Sequence, residues 1–173
     1  MNDDILYKPE EIAEKLKITK GTVYEMIKRG DLEAHRIGRH IRVSGTQLDY
    51  YLLKARGSEN IYEAELIHKN GETLATVGSV NISVSTDLEG RAKVSIRPED
   101  IILSKGTFVS SARNVFKGTV KNIIEEGSSA KVILDIGMPM TALITKKSLN
   151  EMGIVMGTEL YAIFKTMAVK VYK

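Results

Sequence analysis

No cysteine and no tryptophan occur in this 173-residue chain, and proline and phenylalanine appear only three times each. The absence of cysteine excludes a disulfide scaffold and any thiolate-ligated metal or redox centre. With seven tyrosines as the main aromatic stock, there is little from which to build a stacking platform for single-stranded nucleic acid. No run approaches the roughly 20 consecutive apolar residues of a membrane span. Met1-Asn2-Asp3-Asp4 is acidic where a signal peptide is basic and then apolar. These absences point to a soluble, cytoplasmic protein with no membrane partner. Catalytic motifs are missing too. There is no G-x-x-x-x-G-K-[ST] phosphate loop, and His35, His40 and His68, the three histidines, stand in no H-E-x-x-H pattern. The adjacent acids Glu125-Glu126 and Asp3-Asp4 read as a solvated loop and terminus, so an enzyme is not expected. Lys and Arg exceed Asp and Glu by only 25 to 22, so the distribution of charge, not its total, has to identify a partner.

What is present changes period near residue 57. From Lys8 to Arg56 apolar residues recur at helical spacing, whereas after Asn60 come short alternating runs rich in Val, Ile and Thr. Only four of the 14 glycines precede residue 57, and Arg56-Gly57-Ser58-Glu59-Asn60 reads as the linker. In the first part Pro9 opens a helix with Ile12, Ala13 and Leu16 on one face. Thr19 is placed to cap a second helix, Lys20 to Arg29, with Val23, Met26 and Ile27 as its apolar stripe and Gly30 as its left-handed terminator. Ala34–Ile37 and His40–Val43 form a hairpin around Gly38-Arg39, and Ser44 with Gln47 makes a capping box for a third helix through about Leu53.

Two helices at helix-turn-helix spacing, a basic hairpin and a third helix make a small winged helix-turn-helix. Arg36, Arg39, His40 and Arg42, with His35, crowd the hairpin without any acid, which suits phosphate contact. Thr19, Lys20, Thr22, Tyr24 and Lys28 on the second helix supply donors for base edges or backbone. His35 and His40 as a metal pair lack a third ligand and a carboxylate. Tyr7-Lys8-Pro9-Glu10-Glu11-Ile12-Ala13, Thr22-Val23-Tyr24, Ile27–Leu32, Ala34–Gly38 and Ile41-Arg42-Val43 resemble the excisionase and MerR-like DNA-binding domains over about the first 55 residues. That resemblance implies that Lys20–Arg29 enters the major groove of double-stranded DNA and that Ala34–Val43 is the wing.

After Asn60 the strands expected are Ile61–His68, Thr73–Val77, Val80–Val84, Ala92–Ile96 and Ile101–Ser104, with Asn70-Gly71 as a tight hairpin turn. Five strands in so short a span suggest an OB-like, partly open barrel. A second series follows: Val115–Ile124, Ala130–Ile136, Thr141–Thr145, a short helix around Leu149–Met152, Glu159–Phe164 and Val169–Tyr172. Val132, Leu134 and Ile136 share one face of their strand and Lys131, Ile133 and Asp135 the other, and one of these faces must be core. Ile96-Arg97-Pro98-Glu99-Asp100-Ile101 is similar to a junction in the C-terminal regulatory barrels of ABC transporter ATPases. Ser111-Ala112-Arg113-Asn114 with Gly118, then Ile144-Thr145-Lys146-Lys147-Ser148 and Phe164-Lys165-Thr166, resemble the Mop or TOBE domain.

The resemblance implies a molybdate or tungstate ligand held by Ser111, Ala112, Arg113, Asn114, Thr145, Ser148, Lys165 and Thr166. The residue types agree with that chemistry. A tetrahedral dianion with four acceptor oxygens needs donors only, and none of these segments contains a carboxylate. The first series has no Ser-Ala-Arg-Asn of its own, so one set of site elements per chain is expected. The fold class that follows is α+β with two domains: a winged helix-turn-helix over 1–56 and an all-β, OB-like Mop/TOBE barrel domain over 60–173. The latter divides into a first barrel-like half, 60–105, and a Mop-type half, 111–173. The function expected is a molybdate- or tungstate-responsive DNA-binding transcriptional regulator, a homodimer or higher homo-oligomer through the C-terminal domain. An oxyanion storage or buffering protein and an excisionase-like architectural DNA-binding protein are the alternatives.

Overall fold

Capping residues set the helix boundaries of the N-terminal part. Pro9 fills the first position of α1 (Pro9–Leu16), where its missing N–H leaves no bond unmade, and the Lys8 N–H donates to Glu11 Oε2 at 2.7 Å. Thr19 caps α2 (Lys20–Arg29) by accepting the Thr22 N–H at 3.2 Å, and Gly30 closes it at φ 80°. The computed structural model describes residues 5–55 and 60–173, which form two compact units, 5–55 and 60–171. The acidic start at residues 1–4 and most of the expected linker, 56–59, lie outside the described residues. Asn60, the last residue of that expected linker, is no linker residue, being fully buried.

The first unit continues with the hairpin β2 (His35–Ile37) and β3 (His40–Ser44), which β1 (Leu6–Tyr7) extends into a sheet ordered β1-β3-β2. Ser44 and Gln47 exchange capping bonds of 3.2 and 3.1 Å at the start of α3 (Gly45–Ala55). Ile12, Ala13, Val23, Met26, Leu32, Val43 and Leu48 form its core. Truncating Ile12 or Val23, both at 0% exposure, to alanine would remove contacts worth about 2–4 kcal/mol.

The second unit is all β apart from one short helix. Its strands are β4 (Ile61–Lys69), β5 (Glu72–Val77), β6 (Val80–Val84), β7 (Gly90–Ile96), β8 (Ile102–Ser104), β9 (Asn114–Glu126), β10 (Ser129–Asp135), β11 (Pro139–Thr145), β12 (Glu159–Phe164) and β13 (Val169–Tyr172), with α4 (Lys146–Glu151) after β11. Asn70 and Gly71, at φ 52° and 78°, join β4 to β5 in the two-residue turn whose twist matches that of the strands. Val132 and Leu134 are both fully buried, which settles which face of β10 is core. Glu125 and Glu126 lie within β9, not in a loop.

Pairing does not follow the two chain halves. The sheets are ordered β11-β10-β9-β12-β8 and β6-β5-β4-β7-β13. Thus Ile102–Ser104 does not complete the first series, as the sequence suggests; it pairs with β12, Ile102 opposite Ile163. Val169–Tyr172 in return joins β7 of the first half. The cause is a matched pair of tight 3-10 turns, Pro98–Asp100 and Thr166–Ala168, each of which turns the chain off its own sheet. Both exchanged strands cover edges that would otherwise be open, and a single hydrophobic core runs from Ala64 to Val169 through both halves.

Two asparagines mark the approximate twofold relation of the halves. Asn60 precedes β4; its Nδ2 donates to the Thr141 carbonyl at 2.7 Å and its Oδ1 accepts the Thr141 N–H at 2.8 Å. Asn114 opens β9 and does the same to Ser83, at 3.0 and 2.8 Å. Both amides are essentially buried, at 0% and 1%. Each satisfies both polar groups of one residue on the other half's outer strand, which water would otherwise have to reach. The Tyr62 hydroxyl adds a bond of 2.6 Å to the Pro139 carbonyl, and burial raises its pKa above the usual tyrosine value.

Candidate functional site

The exposed face of the first unit carries a cationic hairpin beside a helix. Arg36, Arg39 and His40 are exposed, and Arg42 is half-buried with Nη1 donating to the Ile41 carbonyl at 2.8 Å. His35 anchors the hairpin to α3, its Nε2 lying 3.0 Å from Gln47 Nε2. Tyr24 and Lys28 of α2 are exposed. The three other sequence-derived contact residues of this segment have structural work. Thr19 and Thr22 share a bond of 2.8 Å between their hydroxyls at the helix cap. Lys20 is paired with Glu10 of α1 and lies 5.7 Å from the Tyr24 ring centre. Hydrogen bonding within that pair raises the Lys20 pKa and lowers that of Glu10.

In the second unit the eight sequence-derived anion residues fall into two groups. The first gathers where β9 and β12 meet. Asn114 is the partner of Phe164, so Arg113 and Lys165 each stand one residue beyond that last pair. Both are exposed, and among the described residues neither has a carboxylate partner. Ser111 is exposed and Ala112 half-buried, with the Ala112 N–H donating to Ser110 Oγ at 3.2 Å. Thr166 Oγ1 lies 3.1 Å from Ser83 Oγ. Ser83 lies in Val-Asn-Ile-Ser-Val, which reads only as an alternating strand; nothing in that pattern signals that the fold carries it here. The buried Asn114 amide holds the Ser83 backbone, so it braces this region instead of facing solvent. Gly118 has a packing reason, since a Cβ there would come 2.7 Å from Ile136 Cγ2 and 2.9 Å from the Asp135 carbonyl oxygen.

The second group is Thr145 and Ser148. Thr145 caps α4, accepting the Ser148 N–H at 3.0 Å, and its hydroxyl donates to Ser148 Oγ at 3.0 Å. The Ser148 O–H proton is left over. Lys146 beside them pairs with Glu125 at 3.4 Å. Thr145 is opposite Ser129, and Ser129 opposite Glu126 at the far end of β9. The two groups are therefore separated along a 13-residue strand, a contour of about 40 Å.

The position equivalent to the first group is built differently. Arg97 occupies the place of Lys165, but its guanidinium bonds Asp100 at 2.9 and 3.2 Å, and that bond raises its pKa. Ala168 takes the place of Asp100 in the second half. The residue before Asn60 is Glu59, where Arg113 precedes Asn114.

Comparison with known proteins accounts for both units. The helix-turn-helix domain family matches residues 6–56, and the TOBE domain family matches residues 110–171. The molybdate/tungstate import ATP-binding protein WtpC of Pyrococcus abyssi is 38% identical over 138 residues, covering 79% of this chain and 39% of that protein. The molybdenum transport protein ModE of Herbaspirillum seropedicae is 30% identical over 111 residues, covering 57% of this chain and 41% of that protein. The chain thus spans about two fifths of the length of these relatives. Among solved structures, the cytoplasmic molybdate-binding protein ModG superposes with a TM-score of 0.60 at 21% identity, covering 66% of this chain and 96% of that one. The chain joins a helix-turn-helix domain to a TOBE domain, and its β-rich unit shares the ModG fold. No helix among the described residues is long and apolar enough to cross a membrane.

Proposed function

We propose that this protein is a molybdate- or tungstate-responsive regulator that binds double-stranded DNA through its first unit and the oxyanion through its second, with no catalytic activity of its own. The observation that carries the ligand half is the adjacency of Arg113 and Lys165 with no described carboxylate beside them. Two like charges so placed repel each other unless an anion lies between them, and a dianion relieves that repulsion. The donor set fits. Arg113, Lys165 and the hydroxyls near them offer N–H and O–H groups only, and Thr145 with Ser148 keeps one O–H free. The similarity to a molybdate-binding protein and to molybdate/tungstate transport proteins supports the same ligand.

The separation of Thr145 and Ser148 from Arg113 favours a site shared between chains. Ser111, Arg113 and Lys165 of one protomer then meet Thr145 and Ser148 of its partner, and ligand tightens a homodimer by mass action. On the DNA side, Arg36, Arg39 and Arg42 contact phosphates while Thr22, Tyr24 and Lys28 of α2 face the major groove. The pairing of Lys20 with Glu10 moves it from direct contact to holding α1 against α2. In a cytoplasmic setting, the anion would act by changing how two DNA-binding units are presented. A mobility-shift titration of the full chain tests this reading: duplex binding should change when molybdate or tungstate is added. Duplex binding that is indifferent to both ions would leave a storage role, and no duplex binding at all would remove the regulator.

A further inference from the structure

We infer that Ser83, contributed by the first half of the β unit, is a positioning residue for the oxyanion bound by the second half. This rests on the proposed anion site at Arg113 and Lys165. Three observations carry it. Ser83 belongs to β6, the outermost strand of the opposite sheet, yet its backbone is fixed in both directions by Asn114, the residue next to Arg113. Its hydroxyl is 3.1 Å from that of Thr166, the residue next to Lys165. Both side chains are only half-buried.

Two hydroxyls bonded to each other hold two protons, one of which lies between them. Whichever oxygen donates, one O–H remains to point outward, and the bond it receives polarises it and fixes its rotation. The pair therefore presents one oriented donor beside two cations, which suits an acceptor-only dianion. The approximate twofold supplies an internal control. Thr141 is held by Asn60 in the same way, but the residue equivalent to Thr166 there is Pro98, which has no hydroxyl, and the nearby cation Arg97 is neutralised by Asp100. The same bracket exists without the donor pair, so the bracket alone does not account for the Ser83–Thr166 contact.

The test is calorimetric titration of the full chain with molybdate, run on Ser83→Ala, Ser83→Thr, Thr141→Ala and Arg113→Ala, with thermal unfolding of each variant in the absence of ligand. Ser83→Ala should weaken molybdate binding by roughly three- to tenfold, the scale of one neutral hydrogen bond, here the one that orients the donor. Ser83→Thr, which keeps the hydroxyl and suits a strand, should restore it. Thr141→Ala should leave affinity unchanged whatever it does to unfolding. Wild-type affinity in Ser83→Ala alongside loss in Arg113→Ala would overturn the role of Ser83 and leave the site standing. Equal weakening by Ser83→Ala and Thr141→Ala, in step with their stability, would reduce Ser83 to a structural residue. Absence of molybdate binding in the unmodified chain would sink the site and this inference together.

Discussion

The two halves of the β unit share a backbone device and differ in charge. In each, a buried asparagine grips one residue of the opposite half, a 3-10 turn follows the fourth strand of the series, and an exchanged strand closes the sheet. Around one grip stand Arg113, Lys165 and a hydroxyl pair; around the other stand Arg97 and Asp100 bound to each other. Architecture and ligand chemistry are thus carried by different residues. The bracket sets where the loops lie, and in the proposed function the side chains one position away decide whether an anion binds there. Arg97 is a cation at the equivalent place, but the carboxylate of Asp100, three residues on, already satisfies it.

The comparison can be broken most forcefully at the brackets. Asn60→Ala and Asn114→Ala each leave an N–H and a carbonyl without a partner, buried at Thr141 and half-buried at Ser83, and should cost about 2–4 kcal/mol in denaturant unfolding. Similar losses at both positions would support the twofold account; a loss at only one would end it. Next in size is the charge contrast. Arg113→Ala should weaken molybdate binding roughly hundredfold, the scale of a lost charge-assisted bond or two, whereas Arg97→Ala should not change it. If Arg97→Ala were as damaging, the anion would sit at the wrong half. Smaller per residue is the wing effect. Combined Arg36→Ala, Arg39→Ala and Arg42→Ala should weaken binding to all duplexes and lower the slope of log affinity against log salt by about three. An unchanged slope in a salt titration would remove the wing from the phosphates. Least of all should be Asp100→Ala: its ion-pair partner Arg97 is exposed and Asp100 itself only half-buried, so unfolding stability should move by less than about 1 kcal/mol. A larger loss would mean that the pair, and not Asn60, holds that half together.

Local chemistry made much of this legible in the sequence. Pro9, Thr19, Gly30 and the Ser44–Gln47 pair mark helix ends by bonds that close within three or four residues, and Asn70-Gly71 marks a turn by backbone preference alone. Arg113 and Lys165 were recognisable as donors from the Mop/TOBE resemblance, although nothing local brings them together; that needed the β9–β12 register. What spans the chain was not legible. The exchange of β8 and β13 depends on two turns 68 residues apart in sequence, and each strand by itself is a short apolar run that would suit either sheet. Asn60 and Asn114 read as an ordinary linker residue and a motif member, because their partners lie 81 and 31 positions away. The pairing of Lys20 with Glu10 was not legible either, because Glu10 belongs to another helix.

The most direct measurement is calorimetric titration of the full chain with molybdate, tungstate, sulfate and phosphate in turn. We expect saturable binding of molybdate and tungstate at one ion per chain. Sulfate should bind far more weakly, because its smaller tetrahedron does not reach every donor. Phosphate should also be weaker, because near neutral pH it carries a proton that would face donors. Equal affinities for sulfate and tungstate, or two ions per chain, would contradict the assignment of a single selective oxyanion site to the Arg113 and Lys165 side of the molecule.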